Sequence, residues 1–203
     1  MLRAATTLAD ESGIEALSMR KLAEVLGVKA MSLYNHVASK DDVLDGIVDA
    51  VWGEIVVPTG EADWKAGIRE LAISAHETML RHPWASGFYL RTKPGPARLR
   101  YGDSLLGCFR NAGFSKDLTY HAYHIIESYI TGYTFQVLSF RTMDTQQFED
   151  IAGRFLRGEF SSEYPHFTEH ALQHMEPDRD DVSAYELGLD LILDGLETFR
   201  DEA

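Results

Sequence analysis

Nothing constrains the fold of this chain more than residues 18–36, SMRKLAEVLGVKAMSLYNH. Ser18 is a good N-cap, and Met19, Leu22, Ala23 and Leu26 recur on one face of the helix it would open. Gly27 marks a tight turn. A second segment over Ala30–His36 buries Leu33 and exposes Lys29, Ser32, Asn35 and His36. Isolated helices shorter than about 12–15 residues are marginal in water. Two such pieces persist only if flanking helices take their apolar faces, which leaves the second one to be offered to a partner. That layout is a helix-turn-helix, whose second helix enters the DNA major groove.

The 203 residues allow one large domain or two small ones. No apolar run approaches the roughly 18 residues of a membrane span, and the N-terminus lacks the apolar stretch of a secretory signal. The single cysteine, Cys108, permits no internal disulfide and no metal spacing, so a cytoplasmic protein without cofactor or membrane attachment is expected. A net charge of −13 looks wrong for a DNA binder until it is divided along the chain. Residues 1–40 carry five basic and four acidic side chains, the remainder fourteen and twenty-eight. An acidic body repels phosphates, so only the N-terminal end can face DNA. No basic arm precedes the first helix in this sequence.

The rest of the chain reads as all-α. Residues 2–12 form a helix stopped by Gly13. Ser39 opens another, about Lys40–Val56, with Asp41 and Asp42 at its positive end. Its apolar residues Val43, Leu44, Ile47, Val48, Val51, Trp52 and Ile55 form a stripe wide enough to touch two bodies. Pro58-Thr59-Gly60 then marks a boundary, giving domains at 1–56 and 57–203. Further helices are predicted near Trp64–Arg81, Trp84–Leu90, Ala97–Asn111, Lys116–Phe140, Gln146–Leu156, His166–Met175 and Asp181–Arg200.

The series Leu17-Ser18-Met19-Arg20-Lys21-Leu22-Ala23, Leu26-Gly27-Val28, Leu33-Tyr34, His36-Val37 and Lys40 resembles the DNA-binding domain of TetR family transcriptional repressors. The later part resembles the tetracycline-repressor subclass through Arg81-His82-Pro83-Trp84, Ala112-Gly113-Phe114-Ser115 and Tyr129-Ile130-Thr131-Gly132-Tyr133. The resemblance implies a three-helix helix-turn-helix domain followed by a helical bundle for ligand binding and dimerisation. It implies base contacts from Lys29, Ala30, Ser32 and Asn35, and phosphate contacts from Tyr34, His36 and Lys40, supported by Ser18 and Arg20. Met31 departs from the small residue or proline common at its position.

The family's members are dimers. The last helix carries Val182, Tyr185, Leu189, Ile192, Leu196 and Phe199 as an apolar edge flanked by Gly188 and Gly195. Paired with Tyr129 and Gly132 of the long helix, this edge is the expected homodimer seam. Between them, His76, Trp84, Phe88, Tyr101, Phe109, His124, Glu127 and Tyr133 are the candidates for a small-molecule inducer pocket. His121, His124 and Glu127 put at most two groups on one turn, so no metal site is expected. The reading is a ligand-responsive repressor on double-stranded operator DNA. A helical dimeric protein-binding module and an α-helical enzyme are the alternatives, although the chain holds no phosphate loop, zinc spacing or nucleophile elbow.

Overall fold

The computed structural model describes residues 1–58, 63–88, 91–142, 144–173 and 183–202, and every regular element among them is helical. The elements are α1 (Leu2–Ser12), α2 (Met19–Leu26), α3 (Ala30–Leu33), α4 (Lys40–Trp52), α5 (Trp64–Arg81), α6 (Pro83–Ser86), α7 (Pro96–Asn111), α8 (Lys116–Arg141), α9 (Thr145–Leu156), α10 (Pro165–Gln173) and α11 (Ala184–Asp201). Several are shorter than the periodicity predicts: α6 ends at Ser86 rather than near residue 90, and α11 starts at Ala184 rather than near residue 181. The second helix of the pair ends at Leu33, because the His36 and Val37 amides both turn back to the Leu33 carbonyl, at 2.9 and 3.2 Å. Helix α4 ends at Trp52, where Gly53 caps it and Glu54 and Ile55 continue in tight turns. Thr59, Gly60, Leu90, Met175, Asp181 and Val182 lie outside the described residues.

Two apolar cores form. The first gathers Ala5, Leu8 and Ala9 of α1, Leu17, Leu22 and Ala23 around α2, Leu33 of α3, and Val43 and Ile47 of α4. The second begins on the same helix with Val48, Val51 and Trp52 and spreads over α5, α7, α8 and α11. Leu44 packs against both. Helix α4 thus has one face in each core, and at roughly 25 cal/mol per Å² of apolar surface neither face can be exposed cheaply. A capping box starts it: the Asp42 amide donates to Ser39 Oγ at 3.1 Å and the Ser39 amide to Asp42 Oδ2 at 3.0 Å.

Polar contacts add a second tie between the two bodies. The Trp84 indole N–H donates to Asp10 of α1 at 2.7 Å, and His82 Nδ1 lies 2.7 Å from the same carboxylate. The other ring nitrogen of His82 is 3.2 Å from Glu54, just past α4, which also accepts from Arg81 at 3.2 Å.

Within the larger body, α11 lies along α5 and α8. The buried Tyr185 hydroxyl donates to the Ala72 carbonyl at 2.8 Å, and burial raises its pKa well above the ordinary phenol value. Arg69 pairs with Glu186 and Asp190, and Lys65 with Asp194 and Glu197, along the α5–α11 seam. Tyr129 reaches from α8 to donate to the Tyr185 carbonyl at 2.8 Å, and its ring stacks on Tyr185. It passes directly over Gly188, where an added Cβ would lie 2.9 Å from Tyr129 Cζ and closer still to the hydroxyl oxygen. Gly188→Ala is therefore expected to destabilise the protein by about 1–3 kcal/mol through overpacking. Tyr129→Phe in the same chain should recover part of that loss, read as the denaturant midpoint of the single and double variants.

Candidate functional site

The N-terminal end presents the predicted DNA-binding residues on one surface. Ser18 accepts the Lys21 amide at 3.2 Å and starts α2. Gly27 has φ +66°, the left-handed region, and the Gly27 and Val28 amides return to the Glu24 and Ala23 carbonyls at 3.2 and 3.0 Å. This double bond is the Schellman closure, which a residue with a Cβ adopts only under strain. It fixes the direction in which α3 leaves. Lys29, Ser32, Tyr34, Asn35, His36 and Lys40 are exposed, and Ala30 is half-buried against the small core. Tyr34 stands out at 46% exposure rather than folding onto α1, and Met31 beside it reaches 74%. Arg20 is exposed but pairs with Glu24 at 3.3 Å, and Lys21 reaches the same carboxylate at 3.5 Å. Arg20 first and Lys21 second hold the Glu24 carboxyl below the usual carboxylate range. The surface is thus exposed and hydrogen-bonding, with Arg20 and Lys21 sharing one carboxylate and Lys29 and Lys40 exposed beside them.

Behind it, a narrow and mostly apolar cavity lies where α4, α5, α6, α7 and α8 converge. Its wall includes Trp52, Ala75, Met79, Tyr101, Glu127 and Thr134. The Tyr101 hydroxyl donates to Glu127 across it, and Trp52 meets Tyr101 edge-on at 4.9 Å. His76 reaches the cavity indirectly, with Nδ1 2.8 Å from Thr134 Oγ1. Thr134 itself donates to the Ile130 carbonyl at 2.6 Å, which leaves the His76 Nδ1–H as the donor in that pair. Desolvation lowers the His76 pKa below 6.5, so the ring is neutral at neutral pH. Of the predicted pocket residues, Tyr101 and Glu127 line this cavity and His76 supports it.

The others lie elsewhere. Phe109 is fully buried among Trp64 and Phe114 and serves the core. Trp84 sits at the tie to Asp10, and Phe88 is half-buried under the Arg91 guanidinium. Tyr133 faces His76 and Tyr185 on the α11 side of α8. His124 is exposed beside Tyr120, on the outer face of α8. The sequence reading missed Trp52, Ala75, Met79 and Thr134. Their signal was the inward row of each helix, 75 and 79 on α5 and 127, 130, 131 and 134 on α8. Among the described residues no group of three His, Cys, Asp or Glu side chains could hold a metal ion.

The expected dimer seam is corrected in the same way. Tyr185, Leu189 and Leu196 are buried within the chain's own core, and Ile192 is packed against it. Tyr129 and Gly188 meet each other within the protomer and are each half-buried. What α11 leaves exposed is the row Leu187, Leu191 and Phe199 at 54%, 66% and 63%, with Gly195 in open space between them, so that of the expected edge Phe199 and Gly195 remain outward. On α8, Gly132 is likewise open and Phe135 is 70% exposed. The helix is apolar on two faces, and spacing alone does not say which of them the protomer uses.

The family model for bacterial regulatory proteins of the tetR family matches residues 1–47, and that for the tetracyclin repressor-like C-terminal domain matches residues 57–200. An HTH-type transcriptional regulator of Saccharopolyspora erythraea is 36% identical over 135 residues, which is 65% of this chain and 57% of that relative's own length. The tetracycline repressor protein class A from transposon 1721 of Escherichia coli is 29% identical over 98% of this chain and 90% of its own. The crystal structure of apo ActR from Streptomyces coelicolor superposes with a TM-score of 0.78 at 26% identity, covering 99% of this chain and 94% of that one. ActR has also been solved in complex with actinorhodin. Both halves of this chain match one family in the order the fold requires, and the chain belongs to the TetR family of bacterial regulatory proteins.

Proposed function

We propose that the protein is a cytoplasmic transcriptional repressor that holds operator DNA as a homodimer through residues 1–56 and is released by a small-molecule inducer bound within residues 57–203. One observation carries this reading: Trp52 forms a wall of the cavity and belongs to α4, whose other face is core of the DNA-binding end. A ligand against Trp52 and Tyr101 favours one tilt of α4, and it shifts the balance only by its differential affinity for the two states. The reading takes the cavity as a binding site, not a catalytic one, because its polar groups Tyr101 and Glu127 are engaged with each other. The actinorhodin complex of ActR supports a small-molecule ligand, and the cavity offers it apolar walls with one carboxylate. No described helix is long and apolar enough to cross a membrane.

The homodimer in this reading is a four-helix contact of α8 and α11 with their copies, using the Leu187–Leu191–Phe199 row and the open glycines 132 and 195. Two copies present two DNA-facing surfaces to two half-sites about one helical turn apart or a multiple of it.

In electrophoretic or fluorescence titrations against duplexes selected from a random pool, Lys40→Ala should weaken binding to all sequences about equally. Lys29→Ala should cost about 1–3 kcal/mol at one position and relax the preference there. Unchanged binding in both variants would place the DNA contacts elsewhere. Leu191→Arg should give monomers in analytical ultracentrifugation at micromolar concentration, with helical content intact and duplex affinity reduced. In a thermal-shift screen of small molecules, compounds that raise the wild-type Tm should lose that effect on Glu127→Ala.

A further inference from the structure

Helix α7 has no N-cap side chain of its own, since Gly95 occupies that position and Pro96 follows. Its first two free amides, of Ala97 and Arg98, donate instead to the two oxygens of Asp49 on α4, at 3.2 and 3.0 Å. A carboxylate at this end also suits the helix dipole. The contact is built for close approach, because a Cβ on Gly95 would sit 2.5 Å from both Asp49 oxygens. From that cap the contacts run on to the cavity. The Arg98 guanidinium lies 5.8 Å from the Trp52 ring, Trp52 meets the edge of Tyr101, and Tyr101 donates to Glu127.

We infer that Asp49 is a positioning residue for the regulatory response: it makes the start of α7 follow α4, so that the tilt of α4 and the shape of the cavity change together. The inference rests on the regulator reading above and adds to it the joint through which the two ends communicate. A cap supplied from a separate helix is an angular constraint as well as a stabiliser. Two hydrogen bonds to one carboxylate fix direction, whereas the apolar contacts around Trp52 tolerate sliding. Asp49 touches neither DNA nor ligand in this scheme. Its removal should leave both ends able to bind and should break the link between them.

The test needs no identified inducer, because coupling is reciprocal and can be read from the DNA side. The probe is a duplex selected by the full-length wild-type protein from a random pool, and the readout is hydrogen exchange at the amides of residues 97–101 with and without it. In wild type, duplex binding should change exchange there by about fivefold or more. In Asp49→Ala and Gly95→Ala the duplex should still bind, while exchange at 97–101 should no longer respond to it. Asp49→Asn keeps one acceptor oxygen and should recover part of the response. If Asp49→Ala does not fold, Gly95→Ala and Asp49→Asn decide the outcome. A lowered Tm with the wild-type response intact would reduce Asp49 to a helix cap and overturn the inference. So would a wild-type protein that binds the duplex with no change at 97–101. If the selection enriches no sequence at all, the regulator reading falls and this inference with it.

Discussion

Helix α4 is buried on two sides by two different cores, and most of what the molecule can do depends on that. A helix with one apolar face is a lid on whatever it covers, whereas this one is shared. Val43 and Ile47 belong to the small core, Val48, Val51 and Trp52 to the large one, and Leu44 to both. The DNA-binding end therefore cannot turn as a free module without opening apolar surface. Its permitted motions are those in which α4 slides or tilts against the larger body, and these deform the cavity that Trp52 walls.

The acidity of the chain acquires a structural sense in this light. Carboxylates on the N-terminal elements accept donors from the larger body at four places: Asp10 from Trp84, Asp45 from the Lys93 amide, Asp49 from the first turn of α7, and Glu54 from Arg81. Others on α11 hold Arg69 and Lys65 of α5. Negative charge that would repel DNA is thus placed at joints and seams behind the DNA-facing surface. The cost appears on that surface itself, where Glu24 takes up Arg20 and Lys21. A single copy presents hydroxyl, amide and imidazole groups beside Lys29 and Lys40, a mixture that suits positioning as well as attraction.

The two predicted site surfaces differ in how well the sequence announced them, for a physical reason. The residues expected to contact DNA lie on one short segment whose geometry is set locally by Ser18, Gly27 and Ser39, so caps and turns readable in the chain suffice to expose them. The cavity draws one to four residues from each of five helices, and its membership depends on how those helices rotate against each other. Aromatic content pointed to the region that holds the cavity and to Tyr101 and Glu127 in its wall. It did not separate them from Phe109, which fills a core 18 residues upstream of Glu127, or from His124, which faces outward from the same helix.

Alone, the sequence determined the all-helical architecture, the helix-turn-helix with its left-handed glycine, the limits of α1, α2 and α5, and the role of α4 as the link. Each follows from signals within about one helical turn, namely a cap, a breaker or an apolar period. Only the tertiary structure decided which of the two apolar rows of α11 turns inward, that Gly188 admits Tyr129 of the same protomer, and that Asp49 caps a helix 47 residues further along. Those outcomes depend on the rotation of one helix about its axis relative to its neighbours. A periodic pattern leaves that angle open whenever a helix has more than one apolar face.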